Sequence, residues 1–182
     1  MVLHRLSGKS TRGSPHMIEV TLDYGEEVKA HEVGFLRAKE LASTANHASR
    51  YDKGLNYHEY IAQLSESVGS EIAVAKYFAL TDFEPTHGTF KRQADVGASI
   101  EVKHTKWRDG HLILHKSDRM EDIAILVTDR SPTYLLVGWI PISVARTDRT
   151  YRRSERNWWI NQADLRPMED FLRSNYGSAL YA

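Results

Sequence analysis

The chain has 182 residues, 41% hydrophobic and 26% charged, which fits one globular domain with its own core and excludes wholesale disorder. Lys plus Arg and Asp plus Glu balance at 24 each, so a broadly basic protein is excluded and any nucleic acid must be held by a local patch. Cysteine is absent, which excludes disulfides and thiolate metal sites and fits a cytoplasmic protein, and no apolar run approaches the roughly 18 residues of a membrane span.

The first sixteen residues, MVLHRLSGKSTRGSPH, show no periodicity and read as an expression-tag remnant or a disordered tail, with Met17 as a natural start. They hold Arg5, Lys9 and Arg12 but no acid, so the remainder carries a net charge of −3. Residues 17–182 show no linker or repeat and are expected to form one domain. EVTLDY (19–24) alternates like a short strand, and residues 26–43 place Val28, Val33, Leu36 and Leu41 at near-helical spacing. The polar stretch 44–56 reads as a surface connection.

A second helix is predicted over 57–79, with Ile61, Leu64, Val68, Ile72, Ala75 and Ala79 forming its buried stripe. Glu71 lies about 20° from Leu64 around that helix, so an acid stands on the apolar face. An unpaired charge there is costly, and Glu71 must either reach water at the edge of the stripe or point at something cationic.

After Pro85 and Gly88 come five β signals, at 90–96, 99–105, 111–116, 123–129 and 133–140. The near-continuous apolar runs 123–128 and 134–137 are expected at the centre of a sheet covered on both faces, joined by the turn DRSP (129–132). An arginine-rich stretch (145–157) and WWI precede a last short helix around 167–175, with Pro167 in its first turn. Helices, then a mixed sheet, then a helix predict an α/β (α+β) domain.

The stretch ADVGASIEVKHTKW (94–107) carries the chemistry. Alternation puts Glu101 and Lys103 on one strand face and Ile100 and Val102 on the other. A three-residue loop at 97–99, with Gly97 taking the awkward backbone angles, sets Asp95 opposite Glu101. Two carboxylates that close repel unless a cation neutralises both, and Mg²⁺ or Mn²⁺ suits such oxygen ligands. The Val102 carbonyl is a further candidate ligand, and Glu71 would reach the ion through a water or serve a second one. Lys103 would hold the attacking water or neutralise charge on a phosphate. The bland account is a surface Glu101–Lys103 pair beside a turn Asp95.

Other polar residues are weaker candidates. His111 and His115 stand about 13 Å apart along a strand and cannot share one ion. His104 faces away from Lys103, while His115 and Lys116 are within possible reach of a phosphate. Arg146, Arg149, Arg152, Arg153 and Arg156, interleaved with Tyr151, Trp158 and Trp159, form either a backbone-binding surface or a solvated loop; Trp139 and Trp159 read as core. Lys106 and Arg108 lie close enough to Lys103 to meet phosphates.

In element order, with GSEIAVAKYF, ADVG and IEVK followed by further core strands, the chain resembles the PD-(D/E)xK nuclease superfamily. Over residues 60–168 it is similar to small bacteriophage-encoded proteins of that type, which begin near the position of Met17. The resemblance implies a restriction-endonuclease-like αβββαβ core, Mg²⁺ or Mn²⁺, and Glu71, Asp95, Glu101 and Lys103 as the catalytic set. Ala94 stands where the motif has proline, and the short gap from Asp95 to Glu101 demands a tight hairpin. The expected activity is DNA phosphodiester hydrolysis in a host cytoplasm. The alternatives are a junction or flap resolvase, working as a homodimer, and a non-catalytic DNA-binding or inhibitory protein on the same fold.

Overall fold

A computed structural model describes residues 17–41, 54–88 and 93–181. The expectations for residues 1–16, most of 44–56, and the first part of 90–96 lie outside the described residues.

β1 (Ile18–Thr21) leads into α1 (Tyr24–Leu41). That helix starts at a reciprocal cap: the Glu26 amide donates to Asp23 Oδ1 at 2.9 Å, and the Asp23 amide to Glu26 Oε2 at 2.7 Å. α2 (Tyr57–Tyr77) starts the same way, Asn56 and Glu59 exchanging bonds of 3.0 and 2.8 Å. It ends two residues before the predicted limit, because Ala79 turns to φ +55° and breaks the helical run. The buried face of α1 also differs from the one expected. Val33 and Leu41 are buried as expected, but Val28 and Leu36 are exposed, and Ala30, Gly34, Arg37 and Ala38 complete the buried face. Small residues suit this face because α1 crosses α2 closely: a Cβ on Gly34 would come within 2.5 Å of Ser65 Oγ.

The central sheet has the order β1–β5–β4–β2, with β2 at Ile100–Thr105, β4 at Ile123–Arg130 and β5 at Thr133–Pro141. β4 and β5 are almost wholly buried, as their apolar runs predict, and pair antiparallel across the turn between them. β2 runs parallel to β4 and forms an edge of this sheet. The sheet is therefore mixed, and the class is α+β as expected.

Two of the expected strands depart from expectation. Of the segment 90–96, the described part forms a single bridge, Val96 to Ile100, and no strand. The segment 111–116 yields only β3 (Leu112–Leu114), which joins a second antiparallel sheet, β3–β7–β6. There β6 is Tyr151–Arg152 and β7 is Asn157–Ile160, and a single-turn α3 (Ile142–Ala145) precedes them. Between β2 and the parallel β4 the chain carries β3 and turns, where an αβββαβ order has a helix. The helix expected around 167–175 is a 3₁₀ turn at Met168–Asp170 with Pro167 just before it. Its tighter winding turns Met168 and Phe171, three apart, into the core, where Phe171 packs edge-on to Trp139 at 5.1 Å.

Three apolar clusters result among the described residues. One lies between the helices and the central sheet, around Val68, Ile72, Ile125 and Leu136; the second lies between the two sheets, around Leu112, Leu114, Leu126 and Ile160; a small third one, Ala38, Leu41, Tyr60 and Ile61, joins α1 to the start of α2. The layering is helices, sheet, sheet. No helix among the described residues is long and apolar enough to cross a membrane. Gly34→Val should drive α1 off α2 and cost about 1–3 kcal/mol of stability, read as a lowered midpoint in urea unfolding with an unchanged slope.

Candidate active site

The hairpin before β2 is as tight as its sequence demands. Val96 bridges Ile100, leaving 97–99 as the loop, and Gly97 takes φ +60°. A side chain there would also strike the Leu180 carbonyl oxygen, 2.9 Å from an ideal Cβ, because the C-terminal turn packs against the loop. The amides of Ala98 and Ser99 both donate to the Ala179 carbonyl, at 2.9 and 3.0 Å.

Beyond the bridge, Asp95 does not continue the ladder. Its amide donates to the Ile100 carbonyl at 2.9 Å, and its Oδ2 accepts the Val102 amide at 2.8 Å. A carboxylate thus takes the place that a neighbouring strand's carbonyl would occupy. The Val102 carbonyl lies along this same edge, because the amide and carbonyl of a strand residue point to one side.

Glu101 and Lys103 share the face of β2 that also carries their partners Ala124 and Leu126, the side covered by the second sheet. α2 covers the opposite face, so Glu71 comes from the other side of the sheet. All three carboxylates line one cleft beside β2, the edge strand. Their mutual influence appears in Asp95, which is pushed well above the usual carboxylate range, first by burial and then by the charges of Glu71 and Glu101. The Val102 amide and Lys103 pull it back only in part.

Glu71 does point at something cationic, and the partner is Arg37 of α1. Their bidentate pair measures 2.7 and 2.8 Å, with Glu71 3% exposed. Arg37 also donates from Nε to the Thr86 carbonyl at 2.9 Å. Burial pushes Glu71 upward; Arg37 opposes this, and Glu101 adds to it. Both oxygens of Glu71 are therefore committed to protein, whereas Asp95 Oδ1 and Glu101 Oε2 accept no hydrogen bond from described residues.

Lys103 is bracketed by Glu101 at 2.7 Å and by Asp118 at 3.0 Å. Burial alone would lower its pKa, but the two carboxylates outweigh burial and hold it above the usual range. It stays an ammonium, a donor and a positive charge, and cannot serve as a base near neutrality. Asp118 is fixed in turn by the His115 amide at 2.8 Å. Arg146 clamps the same loop through the Asp118 carbonyl at 2.7 Å and the His115 carbonyl, with its guanidinium 4.7 Å from the centre of the Trp158 ring. Arg119 grips buried Asp122 and also senses Glu101.

A cleft of about 1380 Å³ brings Arg37, Glu71, Asp95, Glu101, Lys103 and Asp118 together. His104 is turned aside, its Nε2 bonding the Asp129 carbonyl at 2.8 Å with its ring edge-on to Tyr134, although part of it borders the cleft. His111 and His115 line the cleft without forming a pair. Lys106 borders it and is exposed, as are Arg108 and Lys116 beside it. Arg149 is exposed and 3.5 Å from Asp164, away from the cleft, and Arg152, Arg153 and Arg156 are exposed. Trp139 is core as predicted, but Trp159 is a half-buried part of the cleft wall.

Arg37, Asp118 and Arg119 were missing from the sequence reading. Arg37 had a usable signal, standing four residues from both Val33 and Leu41 on the buried stripe; Asp118 and Arg119 sit in a polar turn with no spacing to the E-x-K strand. Among the described residues, no three His, Asp or Glu side chains form a ready-made metal site. Two carboxylates with unengaged oxygens beside a strand-edge carbonyl still match what Mg²⁺ takes from a protein, the rest of its shell being water. No family model matches the chain, and neither a curated protein nor a solved structure matches it.

Two outcomes follow. Arg37→Met should cost about 3–5 kcal/mol in chemical denaturation by stranding Glu71, and adding Glu71→Met should recover part of that loss. Asp95 holds its proton more tightly folded than unfolded, so its contribution to stability is full below about pH 3.8 and is lost as pH rises through the raised folded value. Asp95→Asn should therefore raise the melting temperature at pH 7, with the gain vanishing near pH 3.8 in a thermal melt series.

Proposed function

We propose that the chain is a metal-dependent nuclease that hydrolyses DNA phosphodiester bonds, a pared-down member of the PD-(D/E)xK nucleases. The observation that carries this reading is the edge of β2, where Asp95 and Glu101 turn unengaged oxygens toward a cleft and Lys103 stands beside them as a fixed ammonium. In such a core the connection from the E-x-K strand to its parallel neighbour is made here by β3 and turns instead of a helix.

Asp95, Glu101 and the Val102 carbonyl are the residues that would hold Mg²⁺ or Mn²⁺. A bound ion would supply Lewis-acid polarisation and an activated water. Lys103, kept protonated by Glu101 and Asp118, donates hydrogen bonds to a phosphate oxygen or to the attacking water and offsets charge that grows during displacement. Asp118 fixes the direction of that ammonium. Glu71, locked to Arg37, adds negative potential at Asp95 without needing to touch an ion. Lys106 and Arg108 are exposed at the mouth and suited to the flanking backbone phosphates.

Among plasmid, linear and flapped DNA, at least one should be cut, and only when Mg²⁺ or Mn²⁺ is titrated in, with Lys103→Ala lowering the rate about 10²–10³-fold. A wild-type chain that cuts none of them, or cutting undiminished by Asp95→Ala, removes the proposal.

A further inference from the structure

The small sheet has two unlike faces. Leu112, Leu114 and Ile160 enter the second core. The opposite face carries Ile113 with its cross-strand partner Trp159, then Asn157 with its partner Arg152, since partners and residues two apart share a face. Ile113, Trp159 and Asn157 line the same cleft as Glu101 and Lys103, and the stripe runs outward to exposed Arg152. His111 extends it, 5.6 Å from the Trp159 ring.

Trp107 borders this cleft and is 63% exposed, a costly position for an indole. Its turn is held firmly. The Gly110 amide donates to the Trp107 carbonyl at 2.9 Å, and Gln162 Nε2 donates to the carbonyls of Arg108 and Gly110 at 2.8 and 2.9 Å. Gly110 packs so closely on Thr105 that an ideal Cβ would lie 2.4 Å from Cγ2. Lys106 Nζ sits 5.0 Å from the Trp107 ring centre, and Arg108 follows, against Asp109 as the acid of that turn. An exposed ring on a hydrogen-bonded turn, flanked by cations at a cleft mouth, is suited to stacking.

We infer that this wall binds the unpaired bases of a single nucleic-acid strand, with Trp107 and the His111–Trp159 pair stacking on bases and Lys106, Arg108 and Arg152 meeting phosphates. Base–aromatic stacking tolerates any base, and an intact duplex offers no free ring face inside its stack. The substrate therefore enters the cleft with its bases apart. This rests on the reading of the cleft as a phosphodiester site.

The test is fluorescence anisotropy of a labelled oligo-dT and of a blunt duplex of equal length, with the intact chain in EDTA at low salt. The single strand should bind more tightly and quench tryptophan emission. Trp107→Ala should weaken single-strand binding roughly 5-fold or more at an unchanged melting temperature, and His111→Ala should weaken it less. Arg173→Ala, an exposed charge outside the cleft, should leave it unchanged. Duplex bound as tightly as single strand, binding indifferent to both ring substitutions, or no binding at all overturns the inference. Single-strand binding without cleavage in Mg²⁺ keeps the platform and removes the nuclease; duplex cleavage indifferent to Trp107→Ala does the reverse.

Discussion

Like charge at the rim of a sheet organises this molecule. Asp95, Glu101 and Glu71 arrive at the open edge of β2 from a hairpin, from one sheet face and from a helix on the other face. Each is compensated differently: Glu71 by a bidentate guanidinium, Glu101 by Lys103, and Asp95 by one backbone amide and little else. The compensation is uneven, and the deficit falls on Asp95. That deficit, in a cleft and with named partners, supports the proposed role of Asp95 as a metal ligand.

The surrounding architecture exists to hold that edge in place. α1 must approach α2 closely enough for Arg37 to reach Glu71, which is why the contact is made by Gly34 and alanines and not by the larger apolar residues nearby. The second sheet covers the face that bears Glu101 and Lys103 only in part, leaving the cleft between β2 and the outer side of β3 and β7. Arg146, half-buried against Trp158, is spent on fixing the loop that carries Asp118. One arginine of the basic stretch therefore works inside the fold, while Arg152 and Arg153 stand in solvent.

Legibility in the sequence followed the range of the interactions. Local patterns were readable: both helices, the central strands β4 and β5, and the hairpin around Gly97 all follow from periodicity and turn chemistry. The acid on the α2 stripe was readable as an anomaly, and its partner on α1 carried the same mark in the opposite sign. Two opposite charges, each on the buried stripe of its own helix, imply each other, yet the larger apolar residues Val28 and Leu36 mask the second one in the sequence. Pairings that depend on tertiary placement were not readable. A three-residue strand such as β3 gives no clue to which sheet it joins, and Asp118 reaches Lys103 only because that sheet folds back over the first.

The loop of the Asp95 hairpin is capped by a carbonyl contributed more than eighty positions downstream, at Ala179. A chain emerging from the ribosome can build both helices and most of the central sheet long before that oxygen is out. The acidic edge is thus among the last parts to be tied down, and a partly made chain carries its charges without the geometry that gives them use.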